Sequence, residues 1–253
     1  MKNDLQKIIK DKHFRCIVIS PHDDDAILSC GGLLTQLAGN TDCLIVNVFT
    51  KAHTEPYTLS TKTFLKYSNS NDAVELYKER VKEDKKVLAQ LSLKSIDLGL
   101  EEALFRRKKQ KTLLGKLLPE FDHIYPTYRW HILKGIAFDD YAIATLKEKL
   151  QQFDDKKTLV FAPFGIGNHV DHRIVRKVCE ELFDNLLLYS DFPYNVRLNT
   201  YGNTKKNGKV YRVKPDMEKK TNLIKGYKTQ FQGLFPKEIV PEHEEIYFSN
   251  KPL

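Results

Sequence analysis

Short apolar runs rich in β-branched residues alternate with amphipathic stretches through most of this 253-residue chain, and that alternation restricts its fold more than any other feature. RCIVIS (Arg15 to Ser20), CLIVNVF (Cys43 to Phe49), SIDLGL (Ser95 to Leu100), TLVFAP (Thr158 to Pro163) and NLLLYS (Asn185 to Ser190) read as strands. Helical periodicity fills the intervals Ala26 to Leu37, Asp72 to Leu93, Tyr141 to Phe153 and His169 to Phe183. Strands that alternate with helices need crossover connections, which produce parallel pairing and cover both faces of a sheet.

The fold expected is therefore α/β: a Rossmann-like, mainly parallel sheet flanked by helices on both faces. Ligands of such sheets sit beyond the carboxyl ends of the strands. Three segments read as peripheral: about 51–71 as a polar loop, 102–135 as basic and aromatic, helical in part, and 198–215 as an exposed hairpin or loop. Without a repeat or a clear linker, residues 1–253 read as a single domain.

Lys and Arg outnumber Asp and Glu, 41 against 33, leaving a formal charge of +8. The excess is diffuse apart from RRKKQK (Arg106 to Lys111), a run whose usual place is a solvated helix face. No RNP or zinc-finger signature accompanies it, so nucleic acid is not the expected partner, whereas an anionic small molecule would suit the charge. Cys16, Cys30, Cys43 and Cys179 are scattered without a CxxC pair and read as reduced packing residues of a cytoplasmic protein. No apolar run is long enough to span a membrane, and the N-terminus carries no secretory pattern.

Two polar clusters interrupt the apolar pattern, both where a strand hands over to a helix. SPHDDDAILSCGG (Ser20 to Gly32) places His22 and Asp25 close enough to share a cation, with Asp24 between them free to accept a proton. The plainer alternative is that Asp23 to Asp25 cap the helix and complement its dipole. GIGNHVDHR (Gly165 to Arg173) places His169 and His172 on one helix face, Asn168 at the natural N-cap and Asp171 in the first turn. Its alternative is a polar helix start with two half-exposed histidines. Two such clusters at one sheet edge favour a metal centre. A His, Asp, His set leaves a coordination position for water, as catalytic sites do.

PHDDDAILSCGG followed by HVDH resembles the PIG-L/LmbE family of zinc-dependent de-N-acetylases, whose motifs read approximately [AP]HPDDE and HPDH. Arg80 and Glu83 in YKERVKEDKKVLAQLSL are similar to the family's R-x-x-E helix, LGLEEA to its LGLPDG turn, and KGYKTQFQGLF to a K/Y/Q helix. The resemblance implies His22, Asp25 and His172 as ligands of zinc or another divalent ion. It implies Asp24 as general base, His169, in protonated form, as oxyanion donor and Asp171 as the group that orients a histidine. Arg80, Glu102 and, more weakly, Ser29 are the implied substrate contacts. Asp23 and Val170 replace the family's prolines, and Ala26 its glutamate, at positions that do not ligate metal.

The activity implied is removal of acetyl from an N-acetylglucosamine-type glycoside, glycolipid or glycan precursor. A metal hydrolase of a non-sugar amide or ester, and a non-catalytic sugar- or nucleic-acid-binding relative, are the alternatives. Arg107 and Arg129 read as a solvated face, Trp130 as an aromatic packed on the core, and His53 and His243 as exposed; Asp191 and Tyr194 also read as surface residues, with a stronger claim on the site through their place at the sheet edge.

Overall fold

A computed structural model of the chain describes residues 5–202 and 208–250. In chain order the elements are α1 (Leu5–Asp11), β1 (Arg15–Ser20), α2 (Asp25–Leu37), β2 (Cys43–Asn47), α3 (Leu59–Tyr67), α4 (Ala73–Ala89), β3 (Lys94–Asp97), α5 (Ala142–Leu150), β4 (Thr158–Pro163), α6 (Val170–Leu182), β5 (Leu186–Tyr189), α7 (Tyr194–Arg197), β6 (Lys209–Val213), α8 (Met217–Ile224), α9 (Lys228–Leu234) and β7 (Glu245–Ser249). They build a seven-stranded sheet in the order β3-β2-β1-β4-β5-β7-β6. Strands β1 to β5 pair in parallel, and β7 runs antiparallel to both of its neighbours. The expected α/β architecture is the observed one.

Strand β1 shows why the sheet is covered twice. Ile17 and Ile19 join a core with α4, α5 and α6, while Cys16 and Val18 join a second core with α1, α2 and α8. Burial of alternate residues in opposite directions is what a near-continuous apolar run predicts for a central parallel strand. All four cysteines are buried and free, as their placement in apolar segments suggests.

The peripheral segments carry more structure than their composition indicates. Residues 51–71 include α3, whose N-cap Thr58 accepts from the Thr61 amide. Residues 102–135 hold short 3-10 turns and a single π turn at Tyr128–Ile132. Part of the expected 198–215 hairpin, 203–207, lies outside the described residues, and its distal side is the strand β6 rather than a loop.

Candidate metal and substrate site

The turn after β1 is held by its own side chains. Ser20 Oγ accepts the Ala26 amide at 2.9 Å and donates to the His22 carbonyl at 2.5 Å, while the His22 amide donates to Asp25 Oδ2 at 2.9 Å. Asp24, at the N-cap position of α2, makes no side-chain cap. Capping therefore does not account for all three acids: Ser20 takes the Ala26 amide and Asp25 the His22 amide, while Asp24 caps nothing. The GG of the motif has a packing reason: a Cβ on Gly32 would lie 2.5 Å from Pro215 Cβ, and the Gly32 amide donates to Glu245.

After β4, the chain turns through left-handed backbone at Gly165, Gly167 and Asn168. Gly167 has φ +91°, and the ring of Tyr194 sits 3.1 Å from where its Cβ would be, so a side chain fits there neither by conformation nor by space. With Asn168 at φ +62°, the N-cap of α6 passes to His169, whose Nδ1 accepts the Asp171 amide at 3.3 Å. That bond fixes His169 as the tautomer with Nε2–H available to donate. Burial lowers its pKa to about 3, so the ring is neutral rather than the protonated donor expected.

The two turns meet at the carboxyl edge of β1 and β4. Ligand atoms of His22, Asp25 and His172 all lie within 4.8 Å of one another. His22 Nδ1 is 3.1 Å and His172 Nε2 3.2 Å from Asp25 Oδ2. The far nitrogen of each ring is backed by another carboxylate: His22 Nε2 lies 3.3 Å from Asp171 Oδ2, and His172 Nδ1 lies 2.7 Å from Asp191 Oδ1. Carboxylate support behind a ligating imidazole fixes its tautomer and raises its basicity. The donor set thus fits a divalent ion that accepts nitrogen and oxygen.

Electrostatics agree with a cation-seeking site. Burial opposes charge on His172, but Asp25 and Asp191 raise its pKa to about 10; Asp171 and Asp25 likewise hold His22 well above its ordinary value. Burial also opposes charge on Asp25, yet the two imidazoles keep it well below the usual carboxylate range. Asp24 behaves differently: burial and then the Asp25 charge raise it to about 6.

Asp171 was expected to orient a histidine; its amide donates to His169, and its carboxylate lies against His22. It also accepts the Ala103 amide at 2.9 Å and Arg106 Nη2 at 2.5 Å. Arg106 is 1% exposed and reaches Asp140 Oδ2 with Nη1, also at 2.5 Å, so the solvated reading of RRKKQK is wrong at this residue. Both partners lie far along the chain, and no local pattern announces them. Asp191 is likewise buried rather than exposed, its Oδ2 accepting the amides of Gly165 and Ile166 at 2.8 Å each.

A cavity of about 1100 Å³ opens over the cluster. His22, Asp24, Asp25, His169 and His172 line it, with Arg80 and Glu102 on one side. Arg80 Nη1 stands 3.8 Å from Glu102 Oε2, and burial raises the Glu102 pKa to about 7. Tyr128, Arg129, Tyr194, Arg197 and Lys228 complete its outer wall together with α3. Ser29 is not brought there; its hydroxyl accepts the Phe192 amide at 3.2 Å. His53 lies apart, its Nε2 3.0 Å from His123 Nε2, and Arg107 donates to it. Trp130 is 67% exposed. His243 is stacked on Phe192 at 3.7 Å and bonded to Lys220 instead of being exposed.

Fold and cluster together define an α/β protein with a His/Asp centre at the carboxyl edge of a parallel sheet. More particularly, the chain belongs to the PIG-L family: the family profile, described as GlcNAc-PI de-N-acetylase, matches residues 17–183. The chain is 27% identical over 240 residues to a 2'-N-acetylparomamine deacetylase of Niallia circulans, covering 87% of this chain and 82% of that protein. Its fold is similar to the zinc-inhibited form of the teicoplanin deacetylase Orf2, with a TM-score of 0.70 at 19% identity over 92% of this chain and 97% of the other. The A40926 pseudoaglycone deacetylase Dbv21 gives a TM-score of 0.66 at 19% identity, over 95% and 99% respectively. Among the described residues, no helix is long and apolar enough to cross a membrane.

Proposed function

We propose that the chain is a divalent-metal-dependent N-deacetylase that hydrolyses the acetamide of an amino-sugar conjugate. The observation that carries this reading is the pair of carboxylate-backed histidines converging on Asp25, with Asp24 and His169 lining the same cavity. The relative from Niallia circulans is named a 2'-N-acetylparomamine deacetylase, the solved neighbours are named teicoplanin and A40926 pseudoaglycone deacetylases, and the family profile is described by GlcNAc-PI, which supports an N-acetyl sugar as substrate class.

His22, Asp25 and His172 would hold the ion, zinc by the character of the donors. When bound, the ion supplies Lewis acidity, lowering the pKa of water in its shell toward roughly 7 and polarising an acyl oxygen. Asp24 takes the proton of the attacking water; its pKa of about 6 leaves it ionised at neutral pH yet able to return that proton to the departing amine. His169 Nε2–H donates to the oxygen on which negative charge develops, and a neutral donor serves for this. Arg80 and Glu102, which line the same cavity, would bind sugar hydroxyls. The outer basic residues Arg129, Arg197 and Lys228 suit an anionic group on the conjugate.

Acetate release from N-acetylglucosaminides, set beside release from simple acetamides, tests the reading. Turnover of the sugars that is lost on chelation and restored by zinc is the expected result. Turnover of neither class, or turnover indifferent to chelation, overturns it.

A further inference from the structure

A second cluster of oxygen donors sits at the same sheet edge, beside the site already described. Asp23 follows His22 in the β1–α2 turn, Asp97 ends β3, and Asp84 lies on α4 one turn beyond Arg80. One carboxylate oxygen from each lies within 4.8 Å of the others. Asp23 and Asp84 are 2% and 1% exposed, so two of the three acids have lost most of their water. Asn47, at the end of β2 and fully buried, places its amide against the cluster, with Nδ2 2.8 Å from Asp84 Oδ2 and 3.1 Å from Asp97 Oδ1.

Two buried atoms here have no hydrogen-bond partner among the described residues: Asp23 Oδ1 and Asn47 Oδ1. Both are acceptors. A buried acceptor without a donor is costly, more so when charged, so the unpaired Asp23 oxygen in an acidic cluster points to a missing positive group, and the Asn47 oxygen is a further acceptor left unused beside it. The nearby cations do not fill the gap. Arg80 stands 3.8 Å from Glu102 and its charge also acts on Asp23, but its buried Nε has no hydrogen-bond partner among the described residues, so it makes no bond to Asp23 Oδ1; Lys85 reaches Asp97 from the exposed side at 3.4 Å. Burial raises Asp84 to about 7 despite the hydrogen bonds it accepts from Asn47 and Tyr227, which is the mark of an uncompensated charge.

We infer that Asp23, Asp84 and Asp97, with the Asn47 carboxamide oxygen, bind a hard divalent cation at a site separate from the His/Asp centre. Rotating the Asn47 amide brings Oδ1 to the two carboxylates its nitrogen now touches, which completes an all-oxygen set. Such donors select magnesium, calcium or manganese over zinc. Asp97, whose side chain is 22% exposed, gives the route in from solvent. Asp23 stands where the family motif has proline, so the carboxylate that closes the set is this chain's own departure. The bound cation would tie the turn carrying His22, Asp24 and Asp25 to α4, which carries Arg80.

The test uses zinc-loaded full-length protein titrated with manganese and followed by electron paramagnetic resonance, with zinc content measured in the same samples. Calcium and magnesium are added separately, up to about 1 mM, while Tm is followed. Wild type is expected to take up one manganese per chain with zinc retained, and to melt higher with calcium or magnesium. Asp97→Asn and Asp23→Asn are expected to lose both responses. Without added cation they should melt no lower than wild type, since each removes one like charge from the cluster. Manganese uptake matched by zinc loss, uptake that persists in both variants, or no uptake at all would overturn the inference. Because Asp97 touches neither the three proposed zinc ligands nor Asp24, this outcome is independent of whether the protein deacetylates anything.

Discussion

His172 Nδ1 and Asp191 Oδ1 lie 2.7 Å apart, and this contact decides which nitrogen of the ring faces Asp25. Asp191 is itself fixed by the amides of Gly165 and Ile166, so the β4–α6 turn and the end of β5 aim the imidazole together. Replacing Asp191 by Asn should weaken zinc binding about 10- to 100-fold, the usual effect of removing such a carboxylate. Competition with a chromophoric chelator measures it, and an unaltered affinity would show that His172 needs no such support.

Asp24 lines the cavity but makes no cap and is not in the ligand set. Asp24→Asn should therefore retain its zinc while turnover falls about 10²- to 10⁴-fold, the range for loss of a general base. Retained turnover in the metal-loaded variant removes Asp24 from the role.

Arg106 joins Asp140 to Asp171 in the interior, and its Nε and Nη2 also donate to the Glu101 carbonyl. Arg106→Met leaves two buried acids without their counter-ion, and removing one partner of a buried pair costs about 3–5 kcal/mol. Urea denaturation should show a loss of that order. Arg106→Lys should recover only part, because one ammonium cannot take up the guanidinium's forked geometry. A wild-type midpoint for Arg106→Met would mean that the pairs contribute nothing net.

Gly32→Ala puts a methyl group 2.5 Å from Pro215 Cβ and 2.9 Å from its Cα, on backbone that cannot swing aside. Overpacking of this kind costs about 1–3 kcal/mol. The thermal midpoint should fall while the zinc content of the folded fraction stays as in wild type. An undiminished midpoint would show that the contact between α2 and the Pro215 turn before α8 yields easily.

The central strands and both His/Asp motifs were legible because their signals are local: apolar runs of strand length, and polar clusters at the points where those runs end. The antiparallel strand β7 was not, since its first residue, Glu245, is an acid buried only because Lys220 meets it at 2.6 Å and the Gly32 and Leu33 amides donate to it. Arg106 and Asp191 were misread as solvated for the same reason, their partners being distant in sequence. Asp23, Asp24 and Asp25 show the limit most clearly. Three identical neighbours carry one sequence signal, yet the turn sends Asp25 to the histidines, Asp24 to the cavity and Asp23 toward α4 and β3.

An anomalous-difference map, collected at the zinc edge from crystals of the zinc-loaded protein, measures the proposed ligand set directly. The account predicts a peak bonded to His22, Asp25 and His172 at roughly 2.0–2.2 Å. A map with no density there, or with the peak on other side chains, would contradict it.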